Sequence, residues 1–211
     1  MSARLCLFGA GGHGRVVAAQ VRARQPRTEI CFGDGRRPVG SSVNGYPVEF
    51  DTPDAIRDAR LIVTIGDNAL RARLQQAAVD AGVDMASFVA DPDRYFAAAP
   101  GAGSMVLAGA LVTGDARIGA GVLVNSGAIV EHDSDVGDFC HLAPGSVLAG
   151  GSILGEGVFV GAGARVVNEA RIAAGVLIGA GATVIGDISR PGVYGGTPAR
   201  LIGPLPARQK G

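Results

Sequence analysis

Little in this chain is aromatic, little is charged, and nothing in it is strongly one-signed. Only 5% of its 211 residues are aromatic, and 19 Lys and Arg balance 19 Asp and Glu. A formal net charge of zero argues against nucleic acid or an anionic membrane as a partner. No apolar run approaches the ~20 residues that span a bilayer, so membrane insertion is not expected. The first residues lack the basic start, long apolar core and cleavage site of a signal peptide. The three cysteines, Cys6, Cys31 and Cys140, show no metal-ligand spacing and no disulfide framework. A reducing cytoplasm is the expected location, and no metal is expected.

What is abundant is glycine, 34 residues of it, and branched aliphatics in strict register. From Val106 every sixth residue is aliphatic: Val106, Val112, Ile118, Val124, Val130, Val136, Leu142, Leu148, Leu154, Val160, Val166, Ile172, Ile178 and Val184. Two residues before most of these anchors sits a small or β-branched residue, such as Ala128, Ser146 or Ala164. A period of six fits neither a helix face nor one continuous strand. It fits a two-residue strand and a turn, repeated, with one large and one small side chain inward per unit. Turn formers follow the anchors, as in Ile118-Gly119-Ala120-Gly121. Such a unit cannot bury its own apolar face, so the units must stack.

The register resembles that of the hexapeptide-repeat acyltransferases, whose repeats wind into a left-handed parallel β-helix. The resemblance supplies the hand, since the general rule for parallel crossovers favours the right. It also implies three hexads per triangular coil, with residues eighteen apart stacked about 4.8 Å from one another.

Before the repeat, strands and helices alternate. Strands are expected at Leu5–Phe8, Thr28–Gly33, Tyr46–Phe50 and Leu61–Ile65. Helices are expected from Arg15 to Arg24, from a cap at Asp51 or Thr52 through Asp58, and from a cap at Asp67 or Asn68 to about Ala81. This is a small parallel α/β domain, half-Rossmann-like, with helices on both faces. The chain divides into an α/β domain at 1–85, a left-handed β-helix at 86–190 and a capping tail at 191–211. The stretch Asp91–Ala102, with Pro92 and Pro100, is expected to be a join.

Gly9-Ala10-Gly11-Gly12-His13-Gly14 stands between a strand and a helix, with Asp34 at the end of the next strand. Bare amides at a helix N-terminus favour an anion such as a phosphate. About 85 residues is half a classical dinucleotide-binding domain, so one nucleotide is expected rather than two. His13 points to a ligand, because packing does not require histidine there. Two more histidines, His132 and His141, fall in the repeat. His132 lies two past Val130, at an outward corner, and the run Glu131-His132-Asp133-Ser134-Asp135 interrupts otherwise Gly/Ala corners. Gly150, eighteen residues on, is expected directly above His132. His141 is expected on the outward face of a strand. Cys140 takes an inward small position and reads as core.

The whole arrangement resembles the bacterial nucleotide-sugar N-acetyltransferases of the sialic acid O-acetyltransferase family. The resemblance implies that Gly11, Gly12, His13, Asp34 and Gly66 of Ile65-Gly66-Asp67-Asn68 hold a nucleotide-linked amino sugar. It implies acetyl-CoA as co-substrate, contacted by His141, Ala162 and Ala180. It makes His132 the general base, Asp133 its partner and the Gly150 amide a donor to the oxyanion. Tyr194-Gly195-Gly196-Thr197-Pro198-Ala199-Arg200 resembles the segment that closes the coil near the coenzyme's adenine. A homotrimer with active sites between subunits is implied too. The reaction expected is acetylation of the 4-amino group of a UDP- or GDP-linked amino-dideoxy sugar for surface glycans. O-acetylation of a sialic acid stands as the alternative. A γ-type carbonic anhydrase shares the β-helix but needs three zinc histidines, and the repeat holds two. A non-catalytic nucleotide-binding scaffold does not account for the His132–Asp133 pair.

Overall fold

A computed structural model describes residues 4–205. Its first part is a five-stranded sheet built on alternation. Central strand β1 (Arg4–Phe8) pairs in parallel with β2 (Glu29–Gly33) on one side, and on the other with the strand Arg60–Val63. A hairpin of Ser42–Val43 and Tyr46–Phe50 completes the other edge, with Tyr46–Phe50 parallel to β2. Leu5 and Leu7 point to helix α1 (Gly12–Arg24) and meet Val17 and Val21. Cys6 and Phe8 point the other way, to Ile56 and to Ala78 of helix α2 (Asn68–Asp80). Period-two side chains buried on both faces are what a parallel sheet with flanking helices requires. Helix α1 begins at Gly12, three residues before the expected Arg15.

The helix expected through Asp58 does not form. Only one 3-10 turn, Pro53–Ala55, is present, and Ile56 is extended and buried under the sheet. Burial of that one side chain overrides the cap signal, because a stretch this short has too few helical bonds to compete.

The second part is a left-handed parallel β-helix. Its strands are two residues long and pair eighteen residues apart, as Leu123–Val124 does with His141–Leu142. They form three sheets, one per face of a triangular prism. All fourteen anchors and the small residues two before them are buried. The turn residue three past each anchor takes positive φ in thirteen of the fourteen units. Nine of these are glycine: Gly109, Gly121, Gly127, Gly145, Gly151, Gly157, Gly163, Gly175 and Gly181; the others are Asp115, Asp133, Phe139 and Glu169.

The coil also extends past the hexad register. Phe88–Val89 pairs with Met105–Val106, and Tyr95 bridges to Val112, each seventeen residues apart. Asp91–Ala102 is therefore a first, irregular coil and not a join: Phe96 and Gly101 donate to the carbonyls of Val112 and Ile118. At the far end Leu177 pairs with Val193, sixteen residues on, and Val193–Gly195 then pairs antiparallel with Arg200–Gly203 to close the coil. Residues 206–211 of the expected tail lie outside the described residues.

The α/β part sits on one face of the prism, over the outward row that includes Met105, Leu123 and His141. Met105, Leu107 and Leu123 share a core with Leu5, Val17 and Val21. No helix among the described residues is long and apolar enough to cross a membrane.

Candidate active site

The glycine loop divides into two jobs. A Cβ on Gly14 would sit 1.9 Å from the Gly9 carbonyl oxygen, and one on Gly9 would sit 2.8 Å from Ile65. Gly9 also takes φ +116°. These two glycines serve packing and the turn. A Cβ on Gly11 or Gly12 would meet nothing within 4 Å. Their lack of a side chain leaves open space in front of the α1 N-terminus, which has no side-chain cap and no acidic residue in its first turn. Asp34 braces the loop: its carboxylate accepts from the Ala10 amide at 2.8 Å and from the Arg36 amide at 2.9 Å.

His13 is half-buried behind this opening, and its Nε2 has no hydrogen-bond partner. Burial, helped by the nearby Arg71 charge, pushes its pKa down to about 4, so the ring is neutral near pH 7. His141 lies close by. It points outward from its coil as expected, but the α/β part covers it and it is only 8% exposed. Its Nδ1 is 3.2 Å from the Gly66 carbonyl oxygen and its Nε2 3.2 Å from Asn125 Nδ2. Asn125 Oδ1 already accepts from the Ser126 amide, which turns the Asn125 NH2 group toward the ring. His141 Nε2 is then the acceptor, and Nδ1–H donates to Gly66. Burial and Arg71 lower this pKa to about 4 as well.

The second cluster is at a corner of the prism. His132 Nδ1 is 2.8 Å from Asp133 Oδ2, and both side chains are about two-thirds exposed. An ionised carboxylate only accepts, so Nδ1 carries the proton and Nε2 is left as the base. The bond to Asp133 raises the His132 pKa, with the Asp133 and Glu131 charges adding to it. The ring lies on Gly150: a Cβ there would be 2.6 Å from Nε2 and 2.7 Å from Cε1. Gly150 thus stands directly above His132, as the eighteen-residue period requires. Asp133 reaches the ring from a φ of +60°, a conformation aspartate tolerates better than most residues. The lowered pKa values of His13 and His141 keep both rings neutral, whereas His132, raised by Asp133, is the histidine of these two clusters that most readily takes a proton. Asp133→Asn should therefore move the acidic limb of the kcat/KM profile to lower pH, since it removes what raises the pKa. An unmoved limb would mean that another group titrates.

Residues 4–78 match the family described as the PglD N-terminal domain. The acetyltransferase domain of PglB from Neisseria gonorrhoeae FA1090, solved with acetyl coenzyme A, is 32% identical over 96% of this chain and 100% of that one, with a TM-score of 0.87. The chain belongs to the nucleotide-sugar N-acetyltransferase family. A mutant of perosamine N-acetyltransferase from Caulobacter crescentus, in complex with CoA and GDP-perosamine, is 35% identical over 95% of this chain and 97% of that one, with a TM-score of 0.85. WeeI from Acinetobacter baumannii AYE, 24% identical over 95% of this chain and all of that one at a TM-score of 0.82, shares the fold. No curated protein sequence gives a significant match.

In this acetyltransferase Ala162 and Ala180 are exposed and stacked on a different corner, with the Gly181 amide donating to the Ala162 carbonyl at 2.8 Å. That corner follows the strand carrying Phe159–Val160, on the face that bears the α/β part. His132 stands between the other two faces, after Ile129–Val130 and before Asp135–Val136. In a triangular prism that edge is opposite the first face. One copy of the chain therefore keeps its glycine loop and its corner histidine apart. No group of three or more His, Cys, Asp or Glu among the described residues is placed to hold a metal.

Sequence reasoning missed Arg71, Asn68 and Asn125. The available signal was faint. Arg71, Gln75 and Ala78 lie at spacings of four and three on α2, and all three are buried. An apolar stripe would normally occupy that face.

Proposed function

We propose that the enzyme moves the acetyl group of acetyl-CoA onto the 4-amino group of a UDP- or GDP-linked amino-dideoxy sugar used for surface glycans. The observation that carries this reading is the exposed His132 imidazole, oriented by Asp133 and seated on Gly150. The sugar amine attacks the thioester carbonyl, forming the C–N bond and a tetrahedral oxyanion. His132 Nε2 takes the amine proton, and Asp133 stabilises the imidazolium. The Gly150 amide, which donates to no carbonyl among the described residues, faces the role of oxyanion donor. The C–S bond then breaks and the proton leaves on the CoA thiol. No covalent intermediate is needed, and Cys140 is buried in the coil with its pKa pushed up to about 12.

The nucleotide belongs at Gly11, Gly12, His13, Asp34 and Gly66, in the α/β domain of residues 1–85. The open space before the α1 N-terminus supports this. Acetyl-CoA belongs to the β-helix of 86–190, along Ala162 and Ala180, with His141 at the inner end and 191–211 as the cap. The opposite placement of loop and base supports a homotrimer, in which the loop of one copy meets His132 of the next. Three buried free cysteines suit a reducing cytoplasm, where acetyl-CoA is made.

A thiol-release assay with acetyl-CoA across UDP- and GDP-linked 4-amino sugars and free sialic acids tests the reaction. Release with an amino sugar nucleotide is expected, and release with sialic acids alone would overturn it. The shared site is tested by mixing. His13→Ala and His132→Ala, each nearly inactive alone, should regain activity when denatured and refolded together. No recovery, with sedimentation showing an active monomer of the parent, would refute the trimer.

A further inference from the structure

Arg71 is the largest fully buried side chain among the described residues. Its guanidinium has no carboxylate within ion-pair distance among the described residues. It donates only to oxygens that are not charged. Nε donates to the Gly121 carbonyl at 2.7 Å, and Nη1 to the carbonyls of Ile65 and Gly66 at 2.9 and 3.3 Å. Nη2 donates to Asn68 Oδ1 at 2.9 Å and to the carbonyls of Phe139 and Cys140 at 2.9 and 3.2 Å. Burial lowers its pKa to about 10, which leaves it charged at neutral pH. Burying a cation this way is costly, and an apolar side chain of similar size usually serves stability as well.

The acceptors explain what the cation does. Gly121, Phe139 and Cys140 belong to two successive coils of the β-helix. Ile65 and Gly66 belong to the turn between the strand Arg60–Val63 and α2. Phe139 holds φ +56° at a turn position that glycine fills in most coils, its ring lies over Gly121, and its carbonyl turns to Arg71. Beside it, Asn68 Nδ2 donates to the Gly157 and Val158 carbonyls at 3.0 and 3.3 Å, a third coil. The guanidinium fork thus joins the turn to the prism by hydrogen bonds of fixed direction.

Direction matters at Gly66. The only cis peptide among the described residues is Thr197–Pro198, so both peptides of this turn are trans and planar. In a trans peptide the N–H points opposite to the C=O. With the Ile65 and Gly66 carbonyls held toward Arg71, the Gly66 and Asp67 amides face away from it. The Gly66 carbonyl is held from a second side by His141 Nδ1–H. Neither amide donates to a backbone carbonyl among the described residues. The turn is a pair of oriented, unspent donors.

We propose that Arg71 is a positioning residue for the sugar-nucleotide side of the site, setting the Ile65–Gly66 turn against the β-helix so that its amides face the substrate. This rests on the reading that Gly66 contacts the nucleotide sugar. Arg71→Lys keeps the charge and loses the fork. In the full-length enzyme it should raise the KM for the amino-sugar nucleotide by about tenfold or more, and leave the KM for acetyl-CoA within about twofold, as expected when an alignment held by several fixed hydrogen bonds is lost. A purely structural arginine would lower Tm and the active fraction and leave that ratio unchanged. A folded Arg71→Lys with both constants unchanged, or both raised alike, overturns the proposal. If Arg71→Lys does not fold, Asn68→Ala removes one acceptor and the tie to Gly157, and the same one-sided rise should appear; its absence overturns the proposal equally. A crystal structure of Arg71→Lys separates this from the substrate assignment. The Gly66 carbonyl should leave hydrogen-bond distance of His141 Nδ1 whatever the substrate is, and an unmoved turn refutes the role of Arg71. Gly66→Ala tests the contact itself, since its new Cβ has room, 3.9 Å from His141 Cε1.

Discussion

His132→Ala should lower kcat by roughly 10² to 10⁴, the range for loss of a general base. Folding should be intact, because the side chain is 64% exposed and its one side-chain bond is to the equally exposed Asp133. The KM values for both substrates should change little, since a base that acts in the transition state adds little to ground-state binding. His132→Asn should behave the same way, as an amide cannot take the proton. His141→Asn is the control. His141 is buried and neutral and already spends both ring nitrogens on Gly66 and Asn125. Near-normal kcat in His132→Ala, or a larger kcat loss in His141→Asn, would move the base to the other histidine.

Gly150→Ala should be nearly as damaging, for a reason that is purely geometric. Gly150 has no positive φ, so an alanine fits its backbone without strain. Its Cβ does not fit the imidazole, because three ring atoms lie 2.6 to 3.1 Å from where it would stand. The ring must tilt away, and a displacement near 1 Å in a catalytic group can cost about 10²-fold in rate. Tm should hold, since the corner is open and the ring can leave it. The double variant His132→Ala/Gly150→Ala should be no worse than His132→Ala alone, because the methyl acts only through the ring. Additive losses would show that Gly150 acts independently, through its amide. Unchanged turnover in Gly150→Ala would mean that the ring does not react from this position.

Much of this was legible in the residues because the β-helix repeats without insertion. A period of six that never slips states both the strand and its inward face, and the eighteen-residue coil then places Gly150 over His132. Where the period slips, the pattern goes silent. The coil at Phe88–Tyr95 runs seventeen residues ahead of its partner and the closing strand sixteen behind, so neither aligns with the hexads. His132 and Asp133 stood out as polar residues among Gly/Ala corners. Arg71 did not, because an arginine in the middle of a helix ordinarily faces water. Its burial is decided by carbonyls of Gly121, Phe139 and Cys140, 50 to 69 residues away. Likewise the α/β part covers His141, and no local pattern around His141 records that cover.

The thirteen left-handed corners carry a trade-off between stability and turnover. Left-handed backbone costs a non-glycine residue roughly 1 kcal/mol. Four corners keep that strain, at Asp115, Asp133, Phe139 and Glu169. Asp133 orients the imidazole and Phe139 offers its carbonyl to Arg71. Asp115 makes no side-chain hydrogen bond or ion pair of this kind among the described residues. A campaign to harden the enzyme against heat would find glycine welcome at position 115 and at position 133 alike. At 115 the gain would be free. At 133 the sturdier protein would be a slower one, and selection for thermostability alone would drift toward a well-folded enzyme with a disoriented base.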